Sequence, residues 1–205
     1  IVISVIAPRL SQRFGLRVMT VAGLVTIAVG LMLVSRMTVD ARYLDLLWPL
    51  LIMSAGLGLC TAPATYAIIA ETPESKHGVA AAVNDAAREI GAAMGIAVAG
   101  SVLAAGYTRH IQPALPQLPE PARGPVSDSL AAALEIAAQA GPMAQPLVDY
   151  AKEAFVNGSS QATLTLAILT AAAAVLLAIL APGTAPRDHK TTASSTAPAH
   201  RDSVG

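Results

Sequence analysis

The sequence predicts an all-α, polytopic membrane helix bundle, and three observations predict it. Hydrophobic residues make up 54% of the chain and charged residues only 13%, against roughly 25% charge in an ordinary soluble domain. The charges are bunched, leaving uncharged runs at 18–35, 46–70, 90–108 and 162–181, each near the roughly 17–25 residues that span a bilayer as a helix. Glycine and proline fall inside these runs (Gly56, Gly58 and Pro63 in the second), where a soluble helix would break but a lipid-embedded one is supported by its neighbours. Four full spans are expected, at 18–35, 46–70, 88–107 and 162–181, with the end of a fifth at 1–8.

The elements follow in order. The run at 1–8 begins inside apolar sequence, with no initiating Met or basic leader, so the chain is read as a fragment of a longer protein. Residues 8–17 form a compact basic loop holding Arg9, Arg13, Gly15 and Arg17, with Gly15 suited to a tight turn. Between the first two full spans lies a short polar link at 36–45 with Tyr43, and Trp48 follows. Both rings suit a membrane–water interface. Residues 71–89 are polar and charged and lead into the third span. The excursion at 107–160 starts with Pro113, Pro116, Pro119, Pro121 and Pro125, which predicts extended or irregular chain over 112–125. A short helix is expected at 127–139, capped by Ser127 or Asp128, and another at 142–156, ending near Asn157-Gly158. The final span at 162–181 is nearly all Ala, Leu, Ile, Val and Thr. The tail at 182–205, rich in Thr, Ser, Ala and Pro, is expected to be a disordered region.

The third span carries the most distinctive pattern. Asn84, Arg88, Gly91 and Gly95 are spaced i, i+4, i+7 and i+11, which places them within about 60° of one helix face. Gly91 and Gly95 form a G-x-x-x-G, and Ala99 extends the stripe. In lipid such a face admits another helix at close range. Along the second span, Met53, Gly56, Gly58, Thr61, Pro63 and Thr65 form the richest set of polar and backbone-flexible positions. They are the candidates for cavity lining, with Met53, Met94 and Cys60 as soft, adaptable groups.

Composition also excludes. Lys plus Arg and Asp plus Glu number 13 each, so no bulk charge draws the chain to nucleic acid. One cysteine, Cys60, excludes an intrachain disulfide, and the four histidines are scattered without metal-ligand spacing. No nucleophile–base set appears, so no enzyme activity, metal site or cofactor is expected. No Asp or Glu lies in the middle of a span, so a proton-carrying carboxylate is expected outside this sequence. Placing the 8–17 loop, the 71–89 segment and the tail in the cytoplasm puts eight of the 13 Lys and Arg residues inside, with three arginines in one short loop carrying most of the weight.

These features, in this order, resemble the C-terminal six-helix half of the major facilitator superfamily, and more narrowly its fourteen-helix drug:proton antiporter branch. Residues 8–17 resemble that family's cytoplasmic G-x-L-x-D-R-x-G-R-R loop through Arg9, Leu10, Arg13, Gly15 and Arg17, although Pro8 replaces a Gly and Gln12 an Asp. The segment L-G-L-C-T-A-P-A at 57–64 resembles its Gly/Pro helix. Residues 77–100 resemble its glycine-striped helix through Gly78, Asn84, Arg88, Glu89, Gly91 and Gly95, with Ala92 in place of a second Gly. The resemblance implies one part of a six-helix half, with the N-terminal half of the same polypeptide as partner. It implies proton-driven efflux of lipophilic, drug-like small molecules by alternating access, in a multi-pass cell-membrane protein whose tail is cytoplasmic. It also implies roles: a cytoplasmic gate loop at Arg9, Arg13, Gly15 and Arg17, and an inter-half packing and latch face at Asn84, Arg88, Gly91 and Gly95. The other reading of Arg88 is an interfacial arginine that meets lipid headgroups or Asp85. The competing reading of the whole chain is a non-transporting module that anchors or assembles in the membrane.

Overall fold

A computed structural model of the chain describes residues 14–180. The partial span expected at 1–8, Arg9 and Arg13 of the basic loop, and the tail at 182–205 lie outside the described residues. Among the described residues there are six α-helices: α1 (Leu16–Val34), α2 (Tyr43–Ala70), α3 (His77–Ile111), α4 (Glu120–Asp128), α5 (Leu130–Ala140) and α6 (Gln145–Leu180). Short 3-10 turns at Glu74–Lys76, Gln112–Gln117 and Gly141–Ala144 join them, and no strand is present among these residues. Four helices, α1, α2, α3 and α6, are long and apolar enough to cross a membrane. The fold is an all-α membrane helix bundle.

Local chemistry sets the helix ends. Gly15, at φ 82°, takes a backbone region that other residues avoid, and α1 starts directly after it. At the other end, the Ser35 N–H donates to Leu31 O at 2.9 Å and the Arg36 N–H to Leu33 O at 3.2 Å. Within α1, Thr20 and Thr26 turn their hydroxyls back to Leu16 O and Ala22 O at 2.9 and 2.7 Å, so neither presents an unsatisfied donor to lipid. In α2 the Arg42 N–H donates to the Asp45 carboxylate at 2.9 Å, an acid in the first turn where the helix dipole favours it. Tyr43 therefore belongs to the helix and not to the polar link. Pro49 and Pro63 sit inside α2 without ending it.

Helices α3 and α6 run to 35 and 36 residues, about 52–54 Å at 1.5 Å per residue, against a hydrocarbon core of about 30 Å. Both project well beyond the bilayer on the side that carries 107–160. There α4 and α5 fold onto them as a helical cap. Its core is Tyr107, Ile111, Val126, Ala133, Ala151 and Ala154, all buried. The Tyr107 hydroxyl reaches across the cap to Val126 O at 2.9 Å.

Three expectations for this excursion need correcting. The proline-rich stretch at 112–125 is largely helical, a 3-10 turn at Gln112–Gln117 and the start of α4, with only Leu118 and Pro119 extended between them. Pro113 and Pro121 occupy first-turn positions and Pro119 is an N-cap, places where a missing N–H breaks no helical bond. The cap of the following helix is Ser129, whose hydroxyl accepts the Ala132 N–H at 3.1 Å, rather than Ser127 or Asp128. And α6 passes through Asn157-Gly158 without a stop. Gly158 is buried against α3, and a Cβ there would stand 2.7 Å from Leu103 O. That glycine serves a helix crossing, not a turn.

The spans pack in the order α2–α1–α6–α3, while α2 and α3 meet only sparsely. Small residues make each close crossing, as expected where lipid supplies no hydrophobic driving force between helices. A Cβ on Gly23 would lie 2.4 Å from Cys60 Sγ, one on Gly56 would lie 2.6 Å from Gly23 O, and one on Gly30 would lie 2.4 Å from Met53 Cγ. Between α3 and α6, Gly106 backs directly onto Gly158. The α1–α6 contact is bracketed by two hydrogen bonds: the Ser160 hydroxyl donates to Ser35 O at one end, and the Arg17 guanidinium donates to Ala178 O at the other. Eighteen residues separate the bonded positions on each helix, about 27 Å of rise, and the intervening stretches carry no charge. That distance matches the thickness of a hydrocarbon core.

Candidate functional site

The candidate cavity residues of α2 separate onto two faces. Pro49, Met53, Gly56, Cys60 and Pro63 fall within an arc of about 80° that turns toward α1. Gly56 and Pro63 are buried, Met53 lies over Gly30, and Cys60 approaches Gly23 and donates its thiol to Thr20 O at 3.3 Å. Roughly 150° away, Ser54, Gly58, Thr61 and Thr65 share the second face, exposed or half-buried. Thr61 and Thr65 return their hydroxyls to Leu57 O and Thr61 O at 2.7 and 3.0 Å. Those two threonines offer hydroxyl lone pairs rather than free donors, and the face carries no charge.

The latch positions stand on the bundle's other flank. Asn84 and Gly95 are half-buried, while Arg88 and Gly91 are exposed. A Cβ added at Gly78, Gly91, Gly95 or Gly100 would meet nothing within 4 Å. Asp85, Arg88, Glu89 and Ala92 border a shallow, mostly polar concavity. Counting down α3 from the Gly106–Gly158 crossing, Arg88 lies eighteen residues away, about 27 Å of rise, the same count that separates Ser35 from Arg17 on α1. Of the gate-loop positions, Gly15 supplies the turn described above and Arg17 binds Ala178. The structure does not bring the α2 set and the α3 stripe together. They occupy the two ends of the helix row.

Sequence reasoning missed the packing glycines Gly23, Gly30, Gly106 and Gly158. The spacing of Gly23 and Gly30, two helical turns apart on one face, was a signal available to it. It also missed the partner of Arg17. Ala178 O is among the last carbonyls of α6, which a helix leaves without intrahelical donors, and the arginine supplies one. Among the described residues no group of three or more His, Cys, Asp or Glu side chains converges on a metal-sized site.

Over 170 residues, 82% of its length, the chain is 28% identical to the multidrug efflux pump LfrA of Mycolicibacterium smegmatis. Over 121 residues, 58% of its length, it is 32% identical to the multidrug resistance protein Stp of Mycobacterium tuberculosis. It is similar to multidrug efflux pumps. These alignments cover 34% of LfrA and 22% of Stp, so the chain spans about a third or less of the relatives it matches. No family model matches the chain, and no solved structure does.

Proposed function

We propose that the chain is the C-terminal part of a major facilitator superfamily efflux transporter of the fourteen-helix branch, which exports lipophilic small molecules in exchange for protons by alternating access. The observation that carries this reading is the similarity to a multidrug efflux pump across 82% of the chain, reaching well beyond any single span. Two features of the bundle support it. One face of α2 is uncharged, mildly polar and interrupted by Gly58, which suits weak, unselective contact with apolar compounds better than tight recognition. The α3 face at Asn84, Arg88, Gly91 and Gly95 has open space at both glycines among the described residues, as expected of a surface that meets a second helix bundle. On this reading the chain acts as a transporter and not as an enzyme, in the cell membrane, with the Arg17 side cytoplasmic and the cap outside.

The charged groups of the described spans lie at their ends: Asp45 in the first turn of α2, Asp85 and Glu89 in the first half of α3. The proton-carrying carboxylate is therefore assigned to the N-terminal half of the same polypeptide. The test is ethidium efflux from cells expressing the full-length protein, with and without a protonophore. Efflux that collapses with the proton gradient is expected. Efflux unaffected by the protonophore at intact ATP levels removes proton coupling. Correctly inserted protein with no efflux of any tested lipophilic compound returns the chain to the anchoring-module reading.

A further inference from the structure

A groove of about 400 Å³ runs between α1 and α6, and its lining is almost wholly apolar, from Val21 and Ala178 at one end to Met32 and Leu164 at the other. It lies inside the 27 Å stretch framed by the two hydrogen bonds, so its natural content is hydrocarbon. From Val21 to Met32 is eleven residues, about 17 Å of rise, close to the depth of one leaflet. Val25 and Ala171 line its middle.

The charged group at the mouth decides what kind of hydrocarbon. Arg17 stands one turn before Val21 on the same helix face, and its guanidinium is fixed there by its bond to Ala178 O, a groove residue. A guanidinium carries five N–H donors in a planar fork suited to phosphate oxygens. Its place at the end of an uncharged stretch is the level of lipid headgroups. We propose that the α1–α6 groove is a phospholipid site, in which one acyl chain lies along Val21, Val25 and Met32 and the headgroup phosphate is held by Arg17. This rests on the chain crossing the bilayer and not on its being a transporter.

The test is native mass spectrometry of the intact, delipidated protein titrated with dioleoylphosphatidylglycerol and, separately, with dioleoylglycerol, which has the same chains and no phosphate. A saturable first adduct is expected with the phospholipid. Arg17→Gln should weaken it about tenfold, the scale of one charge-assisted hydrogen bond, and leave dioleoylglycerol unmoved. Arg17→Lys should restore most of the loss, since it keeps the charge. Ala171→Phe, which fills the groove from its exposed wall, should weaken both lipids. Equal phosphatidylglycerol affinity in wild type and Arg17→Gln would remove the phosphate from the site. A first adduct untouched by Ala171→Phe would mean that the lipid binds outside the groove, and would overturn the proposal.

Discussion

A Cβ on Gly158 would stand 2.7 Å from Leu103 O and 3.0 Å from the Tyr107 nitrogen, whereas one on Gly91 would meet nothing within 4 Å. The two glycines sit in helices of nearly equal length, yet their substitution should have opposite signs. At Gly158 a methyl group must push two backbones apart, an overpacking cost of about 1–3 kcal/mol. At Gly91 the same methyl costs no packing and removes backbone freedom from the unfolded helix, worth about 0.5–1 kcal/mol in favour of Ala. Gly158→Ala is therefore expected to lower the thermal unfolding midpoint of the detergent-solubilised chain, and Gly91→Ala to hold or raise it. Equal losses at both sites would show that the open face of α3 is covered in this chain. A local G-x-x-x-G announces that a helix can be approached closely, not that it is. That is why the sequence singled out Gly91 and Gly95 and passed over Gly23, Gly30, Gly106 and Gly158.

At the scale of elements, two packing regimes meet near Gly106. Below it the spans are held by small residues and backbone contact. Above it, outside the lipid, the cap buries Ile111 and Val126 completely, each contributing on the order of 1.5–3 kcal/mol through the hydrophobic effect, which has no counterpart inside the bilayer. The spans were legible in the sequence because charge is excluded from their middles, a strong and local signal. The cap was not. Its prolines mark breaks but do not say whether a helical turn begins after them, and its core is assembled from positions as far apart in sequence as Tyr107 and Ala154. The position of the cap also tests the sidedness of the bundle. Ala138 is exposed on α5 and away from the Ser129 cap, so Ala138→Cys in a Cys60→Ala background is expected to react with a membrane-impermeant maleimide on intact cells. Reaction only after lysis would invert the assignment and place the Arg17 edge outside.

For the whole molecule, the open ends of the helix row matter more than its middle. Helices α1 and α6 lie between neighbours, and among the described residues α2 and α3 each keep one face without a partner helix: the uncharged face of Ser54, Gly58, Thr61 and Thr65, and the stripe of Asn84, Arg88, Gly91 and Gly95. The chain spans about a third of LfrA, and on the proposed reading these two faces are where further helices dock. If the α3 stripe docks against the N-terminal half during transport, a bulky side chain there should be silent in this chain and damaging in the longer protein. Gly95→Leu has open space around it here, so the isolated chain should unfold at or above the wild-type midpoint. In the full-length protein the same substitution is expected to cut ethidium efflux at least tenfold at equal surface expression, because a leucine would hold two helix backbones beyond the reach that glycine allows. Wild-type efflux from Gly95→Leu would show that the stripe faces lipid throughout the cycle, and Arg88 would then be an anchor at the membrane edge rather than a latch.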